Sequence, residues 1–199
     1  MEKVIILNAP PGAGKDMVAQ MLEQMNTIID KNSIRFMQCE NKTALHNQAI
    51  ALSGIPHDDW HARYVVRELK ETPWARLSGM TQREFLIWIS EEVVKPKFGK
   101  AYYGEVSANR CLELWSKGYT PVFSDGGFPE ELKVMTDILG EENVFVARIY
   151  REGCSFEKDS RNYIFNEVFE DDFKNEGTPK ELVDKILMRF LQGPKTKEK

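Results

Sequence analysis

Apolar residues follow two rhythms along this chain. Short unbroken apolar runs, each enough for one buried strand, alternate with stretches where apolar positions recur three and four apart, as on one helix face. The first run is Val4-Ile5-Ile6-Leu7, and behind it Val18, Met21, Leu22, Met25 and Ile28/Ile29 line one side of a predicted helix. Ile34-Arg35-Phe36-Met37 predicts a short second strand. Residues 41–53 and 58–70 then carry helical spacing, the second opening at Asp58/Asp59 with Trp60, Tyr64, Val65 and Leu69 on its apolar face and Arg63 and Arg67 on another. Glu71-Thr72-Pro73-Trp74 and Ser78-Gly79 break the pattern into a loop.

Thr81-Gln82-Arg83-Glu84 is a capping box before Phe85, Leu86, Trp88, Ile89 and Val93, and Lys95-Pro96-Lys97 is the predicted stop. A further helix runs over 102–115, with Tyr103, Val106, Cys111, Leu114 and Trp115 inward and Lys117-Gly118 at its end. Pro121-Val122-Phe123-Ser124 predicts a buried strand leading into Asp125-Gly126-Gly127. Pro129 starts a helix with Leu132, Met135, Ile138 and Leu139 inward, closed by Gly140. Residues 143–149 read as a strand, 168–173 as a short edge strand, and Thr178-Pro179-Lys180-Glu181 as a second capping box. That box opens a helix with Leu182, Val183, Ile186, Leu187, Phe190 and Leu191 inward.

Alternating strands and helices predict an α/β fold with a central parallel sheet, its first strand in the middle. Residues 41–118 hold helix after helix, an insertion between the second and third strands that would carry a substrate. The chain therefore reads as a single domain, 1–199: a core of 1–40 and 119–199, the 41–118 insertion, and a lid at about 150–164.

The turn after the first strand carries the chemistry. Asn8-Ala9-Pro10-Pro11-Gly12-Ala13-Gly14-Lys15-Asp16 joins strand to helix, the setting in which a phosphate cradle works. Glycines let successive backbone N–H groups turn toward one anion, the helix N-terminus adds unpaired donors, and Lys15 adds a charge for the outer phosphates. The match to G-x-x-x-x-G-K-[ST] is imperfect, because Ala9 stands at the first glycine and Asp16 at the metal-binding hydroxyl. An ordinary strand-to-helix turn with a surface lysine is the plainer alternative. Asp16 reads either as a helix cap or as a carboxylate that holds magnesium against the phosphates. Asp125, at the end of a parallel strand, is a second magnesium or substrate ligand, although Asp-Gly is also a common turn. Arg148, Arg151, Lys158 and Arg161 cluster after the next strand as a mobile arginine-bearing lid. Arg83, in the first turn of its helix, sits where the dipole disfavours a cation, which an anionic partner would offset.

Composition narrows this further. At 199 residues, 42% hydrophobic and 29% charged, the chain suits a globular protein, and its net charge of −4 gives no long-range attraction to nucleic acid. Three scattered cysteines predict a reducing compartment and no disulfide framework, and they do not pair with the three histidines as zinc ligands. There is no signal-peptide pattern and no apolar run of membrane-spanning length, so a cytoplasmic, membrane-free protein is expected.

The ending Gly14-Lys15-Asp16, the segment Arg83-Glu84-Phe85-Leu86 to Ser90-Glu91, Phe98-Gly99-Lys100-Ala101-Tyr102-Tyr103, Asp125, and Asn175-Glu176-Gly177-Thr178 together resemble bacteriophage deoxynucleoside monophosphate kinases. The resemblance implies an adenylate-kinase-like three-layer P-loop NTPase fold and magnesium-dependent transfer of the ATP γ-phosphate to a (deoxy)nucleoside monophosphate, in the host cytoplasm if phage-encoded. It implies ATP binding by Pro11, Gly12, Ala13, Gly14, Lys15, Asp16, Met17 and Arg148, with Asp16 and Asp125 toward the metal. Lys15, Asp16, Arg151 and Arg161 would act on the transferring group. Arg63, Arg83, Trp88, Glu91, Tyr102, Tyr103 and Asp125 would hold the acceptor, with the aromatics either stacking on its base or serving as core. Family members often carry an arginine at the position of Gly127, and the insertion here is shorter than in the best-studied type; Arg151 or Arg161 would have to compensate. Other phosphorylated acceptors, or a nucleotide-binding module without transfer that works through a protein partner, remain open, as does homodimerisation.

Overall fold

Five parallel strands form the sheet, in the order β2-β3-β1-β4-β5. They come from a computed structural model that describes residues 2–25, 34–157 and 159–195. The predicted helix positions Ile28/Ile29, the lid residue Lys158 and the end of the lysine-rich tail lie outside the described residues. The chain divides into two units, 1–41 with 104–199, and 42–103.

In the sheet unit the elements in chain order are β1 (Val4–Asn8), α1 (Lys15–Gln24) and β2 (Arg35–Cys39). In the helical unit, residues 42–103, they are α2 (Lys42–Ser53), α3 (His57–Tyr64), α4 (Arg67–Lys70), a 3-10 turn at Ala75–Leu77, α5 (Gln82–Trp88), a π-helical turn at Ile89–Val94 and α6 (Lys95–Phe98). Then follow α7 (Tyr102–Ser116), β3 (Tyr119–Phe123), α8 (Pro129–Leu139), β4 (Val144–Tyr150), β5 (Glu170–Lys174) and α9 (Pro179–Gln192). β1 is the middle strand, as expected, and Val4 to Ile6 are at most 2% exposed.

Both faces of β1 and β4 are covered, which is why their sequences are apolar throughout rather than alternating. Ile5, Leu7, Phe145, Ala147 and Ile149 face one layer, built from Val18, Ala19 and Leu22 of α1 and Leu182, Val183, Ile186 and Phe190 of α9. Val4, Ile6, Val144 and Val146 face the other, with Ala108, Cys111 and Leu114 of α7 and Leu132, Met135 and Leu139 of α8. The period-two alternation of strands and the three-to-four spacing of helices meet in these two cores. Ile138, expected inward, is 44% exposed on the outer side of α8.

Most of α7 belongs to the sheet unit, so the division falls at residue 103 rather than at the expected 118. Gly104 explains the close seat: a Cβ there would come within 2.6 Å of the Glu131 carbonyl on α8. The helical unit has its own core of Ala49, Ile55, Trp60, Leu77, Phe85, Leu86, Ile89, Val94 and Tyr103.

Two helix expectations change there. The stretch 58–70 breaks after Tyr64, because Val66 takes an extended conformation (φ −90°, ψ 108°) and β-branched Val65 is left exposed. The helix from Thr81 does not stop at Lys95-Pro96-Lys97. A wide turn at Ile89–Val94 lets the missing N–H of Pro96 fall in the first turn of α6, and Gly99 at φ 95° ends it. Both capping boxes, at Thr81/Glu84 and Thr178/Glu181, are formed as expected. Among the described residues no helix is long and apolar enough to cross a membrane.

Candidate active site: a glycine loop at the end of the central strand

The loop between β1 and α1 curls on two glycines. Gly12 (φ 81°) and Gly14 (φ 101°, ψ 4°) take left-handed backbone conformations that residues with a Cβ resist. Gly14 is the residue before α1 and offers no side-chain acceptor, so the first-turn amides have no side-chain cap. Asp16 therefore does not act as the helix cap. Its side chain is 69% exposed, with the ammonium of Lys15 3.5 Å away. Lys15 itself is 7% exposed at the first helical position.

Residues far along the chain fix the loop from behind. Arg151 Nη1 donates to the Gly12 carbonyl at 3.1 Å, and Asn175 Nδ2 donates to the Ala13 carbonyl at 2.9 Å. A peptide's N–H points opposite to its C=O, so holding the Ala13 carbonyl turns the Gly14 N–H the other way. The Ala13 N–H closes a turn onto the Pro10 carbonyl at 3.3 Å. A side chain at Gly14 would strike Asn175, with Met17 at 3.7 Å from the same point, and one at Gly12 would meet Cys154. Ala13 is buried and Pro11 exposed.

Behind the loop, Asn8 is fully buried and bridges two other segments. Its Nδ2 donates to the carbonyls of Gly126 and Asn162 at 3.0 Å each, and its Oδ1 accepts from the Ile164 N–H at 2.9 Å. Asp125 follows β3, and its Oδ1 accepts from the Asn41 N–H at 2.8 Å. Arg161 is paired with Asp159, which lifts its pKa, and the carboxylates of Asp125 and Asp16 add to that shift. Arg161 thus shares one charge neighbourhood with Asp16 and Asp125. Asn8, Asp159 and Asn175 escape a reading of the sequence. In the sequence Asn175 stands only within the Asn-Glu-Gly-Thr segment and Asn8 only as the first residue of the loop stretch, neither with a role of its own.

The expected cofactor ligand Arg148 is a correction. Strand register sets it opposite Asp172, with Glu170 two residues along the same strand. Its Nε donates to Asp172 at 2.6 Å, while Nη1 and Nη2 donate to Glu170 and Nη1 also reaches the Ile164 carbonyl. Its side chain is only 6% exposed and its guanidinium lies over the Phe165 ring, so Arg148 braces β4 to β5 instead of reaching the loop.

Of the acceptor residues expected from the sequence, Asp125 lies in the sheet unit and the other six in the helical unit. Tyr103 hydroxyl donates to Gln48 Oε1 at 2.9 Å and Gln48 Nε2 donates to the Tyr102 hydroxyl at 3.2 Å, so one amide joins both tyrosines. Gln48 carried no signal in the sequence. Arg63 donates to the Thr72 carbonyl at 2.9 Å and lies over Trp74. Arg83 is 60% exposed with Glu71 3.8 Å away. Trp88 is 42% exposed and stacks on Phe85. Glu91 accepts from Lys95 at 2.6 Å and from Ser90 at 2.9 Å. The structure joins Tyr102 with Tyr103 and gives the other four separate local partners.

No protein-family model matches the chain, and comparison with curated proteins finds no match. Among solved structures, a cysteine-to-alanine mutant of the APS kinase CysC of Mycobacterium tuberculosis superposes with a TM-score of 0.53 at 10% identity, covering 95% of this chain and 96% of that one. The fold is that of the P-loop NTPases. Two kinase structures superpose more loosely, each with a TM-score of 0.46. One is a sugar kinase from Janibacter (11% identity, 94% of each chain), the other a gluconokinase from Sinorhizobium meliloti (12% identity, 96% of this chain and 93% of that one). Gly12 to Lys15 stand in the turn after the central strand of that fold.

Proposed function

We propose that the protein transfers the γ-phosphate of ATP, with magnesium, to a (deoxy)nucleoside monophosphate. The observation that carries the reading is the glycine-curled loop ending in a nearly buried Lys15 at the uncapped start of α1. Backbone donors and a helix dipole meet one cation there, which is what a polyphosphate tail requires. Phosphoryl transfer asks a protein mainly for positioning and charge neutralisation, and this region is rich in both.

Magnesium fits the donor set. Among the described residues no three His, Cys, Asp or Glu side chains gather to hold a metal by themselves. Magnesium seldom needs such a cage, because it binds one or two carboxylates together with substrate phosphates and water. Asp16 would hold it from the loop and Asp125 from the end of β3, and bound there it would offset phosphate charge. The acceptor's identity rests on the sequence resemblance in the helical unit, chiefly Arg83 to Glu91 and Tyr102-Tyr103.

A second reading, a nucleotide-binding module without transfer, drew on the glycine at position 127, where the resembling kinases often carry arginine. Arg161 weakens it by bringing a cation to that turn. ADP release across a panel of deoxynucleoside monophosphates tests the choice. Acceptor-dependent turnover that falls on the order of 10²–10³-fold in Lys15→Ala is the expected result. Turnover with none of the acceptors would sink the transfer reading.

A further inference from the structure

Gly127 has no side chain, and the arm of Arg161 fills the space where one would stand. A Cβ on Gly127 would lie 2.6 Å from Cβ of Arg161, 2.9 Å from its Cγ and 3.1 Å from its Cδ. The stem of Arg161 therefore lies flat on the backbone of the turn after β3. The two segments are also tied directly, since the Asn162 N–H donates to the Gly127 carbonyl at 2.9 Å. Asn8 adds its bonds to Gly126 and Asn162 from below. Arg161 lies in the segment that the sequence reads as a mobile arginine-bearing lid. Its side chain is anchored and 21% exposed.

A single carboxylate orients the head group. Asp159 Oδ1 accepts from Arg161 Nε at 2.9 Å and from its backbone N–H at 3.0 Å, and Oδ2 accepts from Nη2 at 2.6 Å. That side-on grip uses two of the five guanidinium N–H groups. It leaves both on Nη1 and one on Nη2 for another anion. Asp159 is itself well covered, at 15% side-chain exposure. Arg161 holds the Asp159 carboxyl below its ordinary value, and Lys15 of the loop adds to that effect. The pair and the loop therefore stand within electrostatic reach of each other.

We propose that Asp159 is a positioning residue that aims Arg161 at the terminal phosphate held by the glycine loop, in a space that Gly127 leaves open. The inference rests on reading that loop as an ATP site. An arginine already packed along its stem and fixed at its fork loses little side-chain freedom when the phosphate arrives. ATP carries one phosphate more than ADP, so the effect of the pair is a preference for ATP.

Calorimetric titration of the full chain with magnesium and either a non-hydrolysable ATP analogue or ADP tests this. Arg161→Ala should lower the preference for the triphosphate about tenfold, as expected for loss of a charged hydrogen bond. Asp159→Asn should lower it nearly as far, and the Asp159→Asn/Arg161→Ala double variant no further than Arg161→Ala alone. Gly127→Ala should act in the same direction by lifting the arm of Arg161, and it decides the matter if Asp159→Asn does not fold. Asp159→Glu should restore part of the preference. An Asp159→Asn protein with the wild-type preference overturns the proposal. So does one with a raised preference, since Asp159 would then compete with phosphate. Losses that multiply in the double variant also overturn it. Should the wild-type chain bind neither nucleotide and be indifferent to Lys15→Ala, the ATP reading falls with it. Lys15-dependent binding with a preference blind to Asp159 removes the positioning role alone.

Discussion

The sheet unit and the helical unit treat their buried polar groups differently. In the sheet unit such groups are bonded across long stretches of chain. Asn8 joins Gly126, Asn162 and Ile164, Arg148 joins β4 to β5, and Asn166 donates to the Glu141 carbonyl at 2.9 Å. Only Ser124, next to Asp125 in the chain, keeps a buried hydroxyl without a partner among the described residues there. In the helical unit the accounts close less fully. Gln82 is completely buried and donates to the Trp60 carbonyl at 2.9 Å, and among the described residues its Oε1 and the buried Arg63 Nε have no partner. Buried polar groups with incomplete bonding cost stability. The contrast teaches that the sheet unit is a frame cross-braced by polar bonds between distant segments, while the helical unit leaves two of its buried polar atoms without a partner among the described residues.

The strongest way to break that contrast is to weaken the frame. Phe190 is fully buried, with its ring 5.9 Å from Phe145 and 6.1 Å from Phe169. Phe190→Ala should cost about 3–5 kcal/mol in urea unfolding, and hydrogen exchange should rise first in α9, β4 and β5. If exchange in α9, β4 and β5 stayed at the wild-type rate instead, Phe190 would not be part of what holds the frame together.

A smaller effect should appear with pH, and in the helical unit. Burial pushes His46 down from its ordinary value to about 4, and Lys42, His61 and Lys70 push the same way. Trp60 Nε1 donates to its Nδ1 at 2.8 Å, a bond the protonated ring cannot accept. The folded state therefore prefers neutral His46, while the unfolded chain binds a proton near pH 6.5. This contribution is present in full above about pH 6.5 and is lost as pH falls toward 4, on the order of 2–3 kcal/mol. Three of the four tryptophans, Trp60, Trp74 and Trp88, report on this unit. Fluorescence-detected urea midpoints should fall between pH 7 and 4.5, and His46→Gln should flatten that dependence. An unchanged slope in His46→Gln would assign the acid sensitivity elsewhere.

The mildest test concerns the caps. Thr81→Ala in the helical unit and Thr178→Ala in the sheet unit each remove an acceptor from the N–H three residues on. Each should cost about 1 kcal/mol, and equal losses would show that local capping is indifferent to the surrounding frame.

These same particulars show which parts of the molecule the sequence discloses. The strands, the glycine loop and the two capping boxes are local patterns, and they stand where the residues place them. Arg148 and Arg161 lie thirteen positions apart in one basic stretch, and nothing local separates their roles. Strand register delivers Arg148 to Glu170 and Asp172, while the gap above Gly127 receives Arg161. Both outcomes depend on pairings between distant segments. In the helical unit the bond of Gln48 to two tyrosines and the wide turn at Ile89–Val94 arise from packing that no periodicity encodes.

The ties behind the glycine loop bear on how the protein is made. The carbonyls of Gly12 and Ala13 wait for Arg151 and Asn175, partners 139 and 162 positions downstream. A ribosome adding about 5–20 residues per second needs roughly 7–30 s to cover that interval. During it the turn exists without the two side chains that fasten it, so this segment leaves the ribosome well before it can take its working shape. Nucleotide capture should accordingly begin late in translation, after the fifth strand has emerged.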